Sequence, residues 1–224
     1  MILGVFNMTV KLSKTSKLDG ILSWSLNALD TCQGSIGKDG ELVPACKGCY
    51  ATTGNYRFSN VKAPREFNKK DWQRDSWVSD MLIALDSSRY FRFFDSGDIY
   101  TVELAEKILE LCTKANWVKF WIPTRMHKFK KYNEVLSKLE ALPNVVLRKS
   151  SDAVDGSRIE GNNTSVIFSD ESQLKGDEFI CRAYENAGKC NGCRACYSKD
   201  VSVIAYKAHG VKMAKVIKIL SVKG

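Results

Sequence analysis

YFRFFDSGDIYT, residues 90–101, decides how this chain is expected to fold. The run YFRFFD (90–95) is short, apolar and aromatic, which predicts a buried strand. The residues that follow, Asp95, Ser96, Gly97 and Asp98, have turn chemistry, with Gly97 suited to a positive φ. Thr101 is placed to cap a helix that carries Ala105, Ile108, Leu109 and Cys112 on one face. Strand, polar turn and capped helix together make one βα unit.

The unit recurs on both sides. Strands are expected at 21–29, 117–124, 144–150, 164–170 and 201–207. One helix is expected over 63–86, where Val78, Met81, Leu82 and Leu85 share a face. Another is marked by Phe129, Tyr132, Leu136 and Leu139. Such alternation predicts parallel βαβ connections. Six strands with few helices predict an α/β fold: an incomplete TIM-like (β/α) barrel of about six mostly parallel strands, in one domain spanning 1–224. Segment 151–163 is too short and polar for a crossover helix.

Parallel barrels carry their chemistry at the C-terminal strand ends. Polar residues follow each expected strand: Cys32 after the first, DSGD (95–98) after the second, Thr124-Arg125 after the third. SSD (150–152) follows the fourth, and SDES (169–172) the fifth. The cysteine-rich loops are therefore expected at one C-terminal rim.

Composition bounds the function. Lys and Arg number 34 against 25 Asp and Glu, a formal charge of +9. The lysines are spread along the chain, so a solvated basic surface explains them better than a nucleic-acid groove. No apolar run approaches a membrane span, and the start MILGVFNMTVKLSK lacks the marks of a signal peptide.

Eight cysteines stand beside only two histidines. Without a secretory signal, disulfides are not expected. All but Cys112 fall into two groups: Cys32, Cys46 and Cys49, then Cys181, Cys190, Cys193 and Cys196. Three thiols at CxxC steps, with a fourth nearby, suit a [4Fe–4S] cluster. Zinc bound by four thiolates is the alternative. Which four share one centre, and whether there are two, stays open. Cys112 reads as core.

The first group resembles the radical S-adenosylmethionine enzymes, in which three cysteines after strand one hold a cluster with one open iron. The Cys32–Cys46 gap is far longer than theirs, so the likeness requires residues 33–45 to fold away as an excursion. It implies that Asp95, Ser96, Gly97, Asp98 and Arg125 contact the cofactor. Ion pairing of Arg125 with Asp95 or Asp98 is the competing reading. Arg92 is expected inside the barrel, sharing a face with Tyr90 and Phe94. Tyr50 and Tyr197 are expected to shield thiols. His209 reads as a helix-start residue, His127 as part of a surface turn, and Trp24, Trp117 and Trp121 as core.

The set LSWSL…TC…PACKGCYA, FRFFDSGDIYT, KFWIPTRM, GKCNGCRACY and IAYKAHG resembles the phage gene product 88 family, from about Leu22 to Gly210. The resemblance implies an iron–sulfur, TIM-barrel-like protein of a viral gene, acting in the cytoplasm of a bacterial host, but no particular reaction. Three functions follow as expectations. One is a radical S-adenosylmethionine-like enzyme with a small-molecule ligand. The second is a non-enzymatic cluster protein with a redox partner. The third is a zinc-stapled nucleic-acid module.

Overall fold

The computed structural model describes residues 10–223; the apolar start, residues 1–9, lies outside the described residues. Eight strands form one sheet: β1 (Ser13–Lys14), β2 (Leu22–Trp24), β3 (Tyr90–Phe93), β4 (Lys119–Thr124), β5 (Val145–Ser150), β6 (Thr164–Phe168), β7 (Phe179–Cys181) and β8 (Val203–Lys207). Their order is β1-β2-β3-β4-β5-β6-β8-β7. β1 pairs with β2 antiparallel, and all other pairings are parallel.

The expected six parallel strands are therefore present, but the barrel is corrected to an open sheet. β1 and β7 end it at opposite edges and do not pair with each other. The reason lies in the second half. Three crossovers between β2 and β5 carry helices: α2 (Ser59–Asp71) with α3 (Trp77–Ala84), then α4 (Val102–Lys114), then α5 (Asn133–Ala141). After β5 no crossover carries an α-helix, and the apolar cluster there is small, built on Val166, Phe168, Val203 and Ala205. Without a continuing helical layer the sheet has nothing to wrap it closed.

The helices share one face of the sheet. Trp77, Met81, Leu104, Ile108 and Leu139 pack with Phe91, Phe93, Phe120, Ile122, Val145 and Leu147 in one buried cluster. The strand alternation puts Tyr90, Arg92, Trp121 and Arg148 on the opposite, inner face. There Trp121 and Tyr197 form a separate cluster with Tyr90, Cys190, Cys196 and Tyr206.

Local chemistry sets the element boundaries. Thr101 caps α4 as expected, its Oγ1 accepting from Leu104 N at 3.1 Å. The single helix expected over 63–86 is instead two. The break at 72–76 is held by Arg74 on Asp71 (2.6 Å) and by Lys107 Nζ on the carbonyls of Trp72 and Arg74. Arg92 is buried on the inner face as expected, but Phe94 does not join it. A φ of 57° at Phe94 breaks the alternation and turns its ring onto Trp24 and Phe93 in the helix-side core. Such a φ is uncommon for a bulky residue and is held here by the surrounding packing. Trp24 and Trp121 are buried, whereas Trp117 precedes β4 and is about half exposed. Two further helices, α1 (Pro44–Lys47) before α2 in the β2–β3 crossover and α6 (Val211–Lys223) after β8, pack together through Ala45 and Met213. Among the described residues no helix is long and apolar enough to cross a membrane.

Candidate functional site: two thiol groups on one sheet

The first thiol group sits at the C-terminal ends of β2–β5. Past its last paired residue, β2 stays tied to β3: Phe94 N donates to Trp24 O (2.8 Å) and Leu26 N to Ser96 O (3.0 Å). Gly97 turns the chain with a φ of 80°, and a Cβ there would lie 2.6 Å from Leu26 Cβ. Only glycine satisfies both demands. Asp98 then latches β3 to β4. Its carboxylate accepts from Thr124 Oγ1 (2.7 Å), Arg125 N (2.8 Å) and Ile99 N (2.8 Å). Burial still pushes the acid up to about 6, against these three donors. Arg125 continues the chain of contacts to β5, donating to Ser151 O (2.8 Å) and facing Asp152 at 3.3 Å. That last approach is too poorly aligned for a hydrogen bond. The Arg125 side chain thus pairs with Asp152; only its backbone meets Asp98.

The cysteine loop closes onto this rim. Residues 36–42 fold back as a small antiparallel excursion through the Ile36–Leu42 bridge, and Val43 N donates to Ser35 O at 2.9 Å. The long Cys32–Cys46 gap is thereby looped out. Ala45 N then bonds Asp152 O (2.9 Å), while Lys128 Nζ ties Gly34 O (2.9 Å) to Asp152 (2.6 Å). Gly34 permits the closure, because a Cβ there would come within 2.5 Å of Arg125 Cβ. Cys32 lies within electrostatic reach of Cys46 and Cys49. Burial foremost, then Asp98 and these thiols, push it up to about 12. Cys46 is raised too, again mainly by burial.

Asp95 is not an open anion. Arg92 Nη1 donates to it at 3.0 Å, Tyr56 Oη donates to its other oxygen, and Arg65 Nη2 lies 3.6 Å away. Ser96 Oγ accepts from Arg65 Nε (2.7 Å) and donates to Leu26 O (2.6 Å). Tyr50 Oη donates to Asp95 O (2.7 Å), which fastens the segment after Cys49 to the rim. Asp95 and Ser96 are thus held by Arg65, and Asp98 separately holds Thr124 and the Arg125 backbone. A cleft of about 420 Å³ lies between Asn27–Asp30 and Thr52–Tyr56; its wall meets this cluster through Tyr56, the partner of Asp95.

The second group is elsewhere, which corrects the expectation of a single rim. β7 and β8 are parallel, so residues 182–202 must return from the end of β7 to the start of β8. Cys190, Cys193 and Cys196 lie on that return, across the strand starts. Cys190 N donates to Lys17 O (2.8 Å); Gly192 N and Arg194 both bond Asp19 (3.0 and 2.9 Å). Tyr197 is buried edge-on against Tyr90 and Trp121. Cys181, the last residue of β7, stands opposite Tyr206, whose hydroxyl is 3.3 Å from Cys196 Sγ. Cys190 feels Cys181 and Cys193, and Cys196 feels Cys181. Burial raises Cys190 and takes Cys196 up to about 11. SDES does not join either group: Asp170 caps its own exposed 3-10 turn.

All eight thiols are free, and Cys112 is buried in the helix-side core. His209 is exposed just before α6, and His127 lies in a 3-10 turn, partly buried. Among the described residues no three His, Cys, Asp or Glu side chains are already arranged to hold a metal ion. In kind and number the donors still suit one: two separate sets of soft ligands, of three and four thiols. Sequence reasoning placed Asp152 at the rim within SSD (150–152), but missed Arg65, Tyr56, Arg148 and Tyr206. Arg148 and Tyr206 were signalled only as an arginine and a tyrosine in otherwise apolar stretches, VVLRKS and VIAYK; Arg65 and Tyr56 stand in polar stretches and carry no such signal.

An open, mostly parallel α/β sheet with two thiol groups defines a class but no activity. The sequence model of the gene product 88 family matches residues 7–218, and the chain belongs to that family of phage proteins. No curated protein and no solved structure matches it.

Proposed function

We propose that this is a phage [4Fe–4S] cluster-binding protein acting in the host cytoplasm. The observation that carries the reading is the sorting of thiols: seven of eight cysteines collect in two places on the sheet, and the eighth is core. A surface that merely happened to be cysteine-rich would not sort them so.

Cys32, Cys46 and Cys49 supply three thiolates at the strand-end rim, which leaves one iron of a cluster open. Cys181, Cys190, Cys193 and Cys196 supply a full set of four. To hold a metal, the sulfurs of each group would have to converge, and their protons would pass to solvent. Desolvation supports this role, because a buried thiol that stays protonated alone becomes a thiolate when metal takes the proton's place. The bound group supplies redox chemistry. The protein fixes the thiols, excludes water with Tyr197 but not with Tyr50, which is about half exposed and does not provide the expected shield, and offers a nearby cleft to a small-molecule ligand or redox partner. S-adenosylmethionine is the ligand to try at the open iron. With Asp95 already bound to Arg92 and Tyr56, its ammonium group would not find a free carboxylate there.

Zinc at the four-thiol group is a second reading, favoured by the closed set of four. Anaerobic reconstitution with iron and sulfide, followed by metal and sulfide counts, tests both. Iron and sulfide with a broad visible absorption support the cluster; zinc without sulfide supports the second reading. No uptake of either removes both. A spectral change on adding S-adenosylmethionine assigns the open iron a cofactor role.

A further inference from the structure

Two arginines on the inner face pose opposite problems. Arg92 is buried but paired, with Asp95 at 3.0 Å and its guanidinium 4.4 Å from the Trp121 ring centroid. Arg148, two strands away on β5, is fully buried. Among the described residues it has carbonyl partners only. Nη1 donates to Thr164 O (3.2 Å) and Val201 O (3.0 Å). Nη2 donates to Ala195 O (3.4 Å) and Ser198 O (3.2 Å), and Nε has no partner. Four neutral carbonyls satisfy donors but do not cancel a charge. A bare cation in a protein interior is strongly disfavoured, and buried charges are normally paired.

The ionisable groups within electrostatic reach of Arg148 are Tyr206 and Cys196. Tyr206 is a partly buried phenol, a group that is ordinarily neutral, and its hydroxyl lies 3.3 Å from Cys196 Sγ. That leaves the thiol group. Two of the carbonyls that hold Arg148 flank Cys196 on its own loop, so the guanidinium also sets where that loop lies.

We propose that Arg148 is the buried counter-charge of a metal centre held as thiolates by Cys181, Cys190, Cys193 and Cys196. Four thiolates around a doubly positive zinc ion, or around a doubly positive [4Fe–4S] core, leave a dianion in either case. Arg148 makes this group select such an anionic centre. The inference rests on the reading that the four-thiol group binds metal, and it deepens that reading by naming the residue that offsets one of the two negative charges. Tyr206, beside Cys196 Sγ, is the neutral hydrogen-bonding partner of the same site.

The test uses the full chain with Cys32, Cys46 and Cys49 changed to Ser, so that only the four-thiol group can bind. Cobalt(II) alone, then zinc alone, is titrated anaerobically. The parent is expected to take one equivalent, with the absorption of tetrahedral cobalt thiolate. Arg148→Met is expected to bind about ten- to a hundredfold more weakly, as loss of an outer partner does. Arg148→Lys, which keeps the charge but not the carbonyl fork, is expected to stay close to the parent. Arg148→Gln removes the charge while keeping a donor, and gives the same answer if the methionine variant does not fold. In the iron- and sulfide-loaded protein, either neutral variant should lower the midpoint potential, because an added electron loses its nearby cation; the lysine variant should not. Zinc without sulfide in protein purified from cells, or iron with sulfide, tells which dianion the site takes, and either fits the proposal. Equal affinity in parent and neutral variants overturns the counter-charge while leaving metal binding intact. Weakening by lysine as severe as by methionine reduces Arg148 to a structural clamp. A parent that takes up no metal ends both the inference and its basis.

Discussion

The two thiol groups sit on one sheet and are built in opposite ways. The rim group, Cys32, Cys46 and Cys49, lies among ion pairs: Asp98, Arg125, Asp152 and Lys128 lock the strand ends to the loop. The return-loop group, Cys181 to Cys196, lies on an inner face with aromatic rings and a fully buried arginine that no carboxylate meets among the described residues. One site is charge-balanced before any ligand arrives. The other is not, and a negatively charged centre would balance it. The contrast teaches that the two groups need not do the same work. The balanced rim, next to an open cleft, suits an exchangeable ligand. The unbalanced inner site suits a permanent centre.

The largest expected effect breaks the comparison on one side only. Cys196→Ser should abolish metal at the four-thiol group and leave the rim group loaded, as metal content per chain will show. Asp98→Ala should do the reverse. It strands Thr124 Oγ1 and two backbone N–H groups in a buried position, at a cost of about 3–5 kcal/mol in urea unfolding. Rim loading should fall, while the four-thiol group keeps its metal. Gly97→Ala sharpens the same point, since positive φ and the clash with Leu26 together should cost about 2–3 kcal/mol by the same measurement. The smallest effect is a control. Thr101→Ala removes one cap on the outer helical layer, lowers stability by about 1 kcal/mol, and should leave both metal contents unchanged.

Much of this was legible in the chain. YFRFFDSGDIYT forms the expected strand, turn and capped helix, and the other parallel strands fall where apolar runs end in polar residues. Those contiguous signals report local structure. The second thiol group was misplaced because β7 is only three residues, too short to give a period. With β7 unseen, the cysteines appear to follow β6 at the rim. With it seen, a parallel partner forces the chain back across the strand starts. The open sheet was hidden for a related reason: closure depends on helices that 151–163 and 182–202 do not provide. The fold of Phe94 out of alternation, and the pairing of Asp95 with Arg65 and Tyr56, are tertiary facts with no sequence period. The loop closure joining Cys32 to Cys46 was legible only as a condition, that 33–45 fold away, and the Ile36–Leu42 bridge meets it.

Independence of the two thiol sites is tested most directly by a metal count on three full-length proteins reconstituted side by side without oxygen. They are the parent, the variant with Ser at positions 32, 46 and 49, and the variant with Ser at 181, 190, 193 and 196. Each variant should lose only its own share, and the two retained amounts should add up to the parent's. A parent without metal, or loss of all metal from either variant, would contradict it.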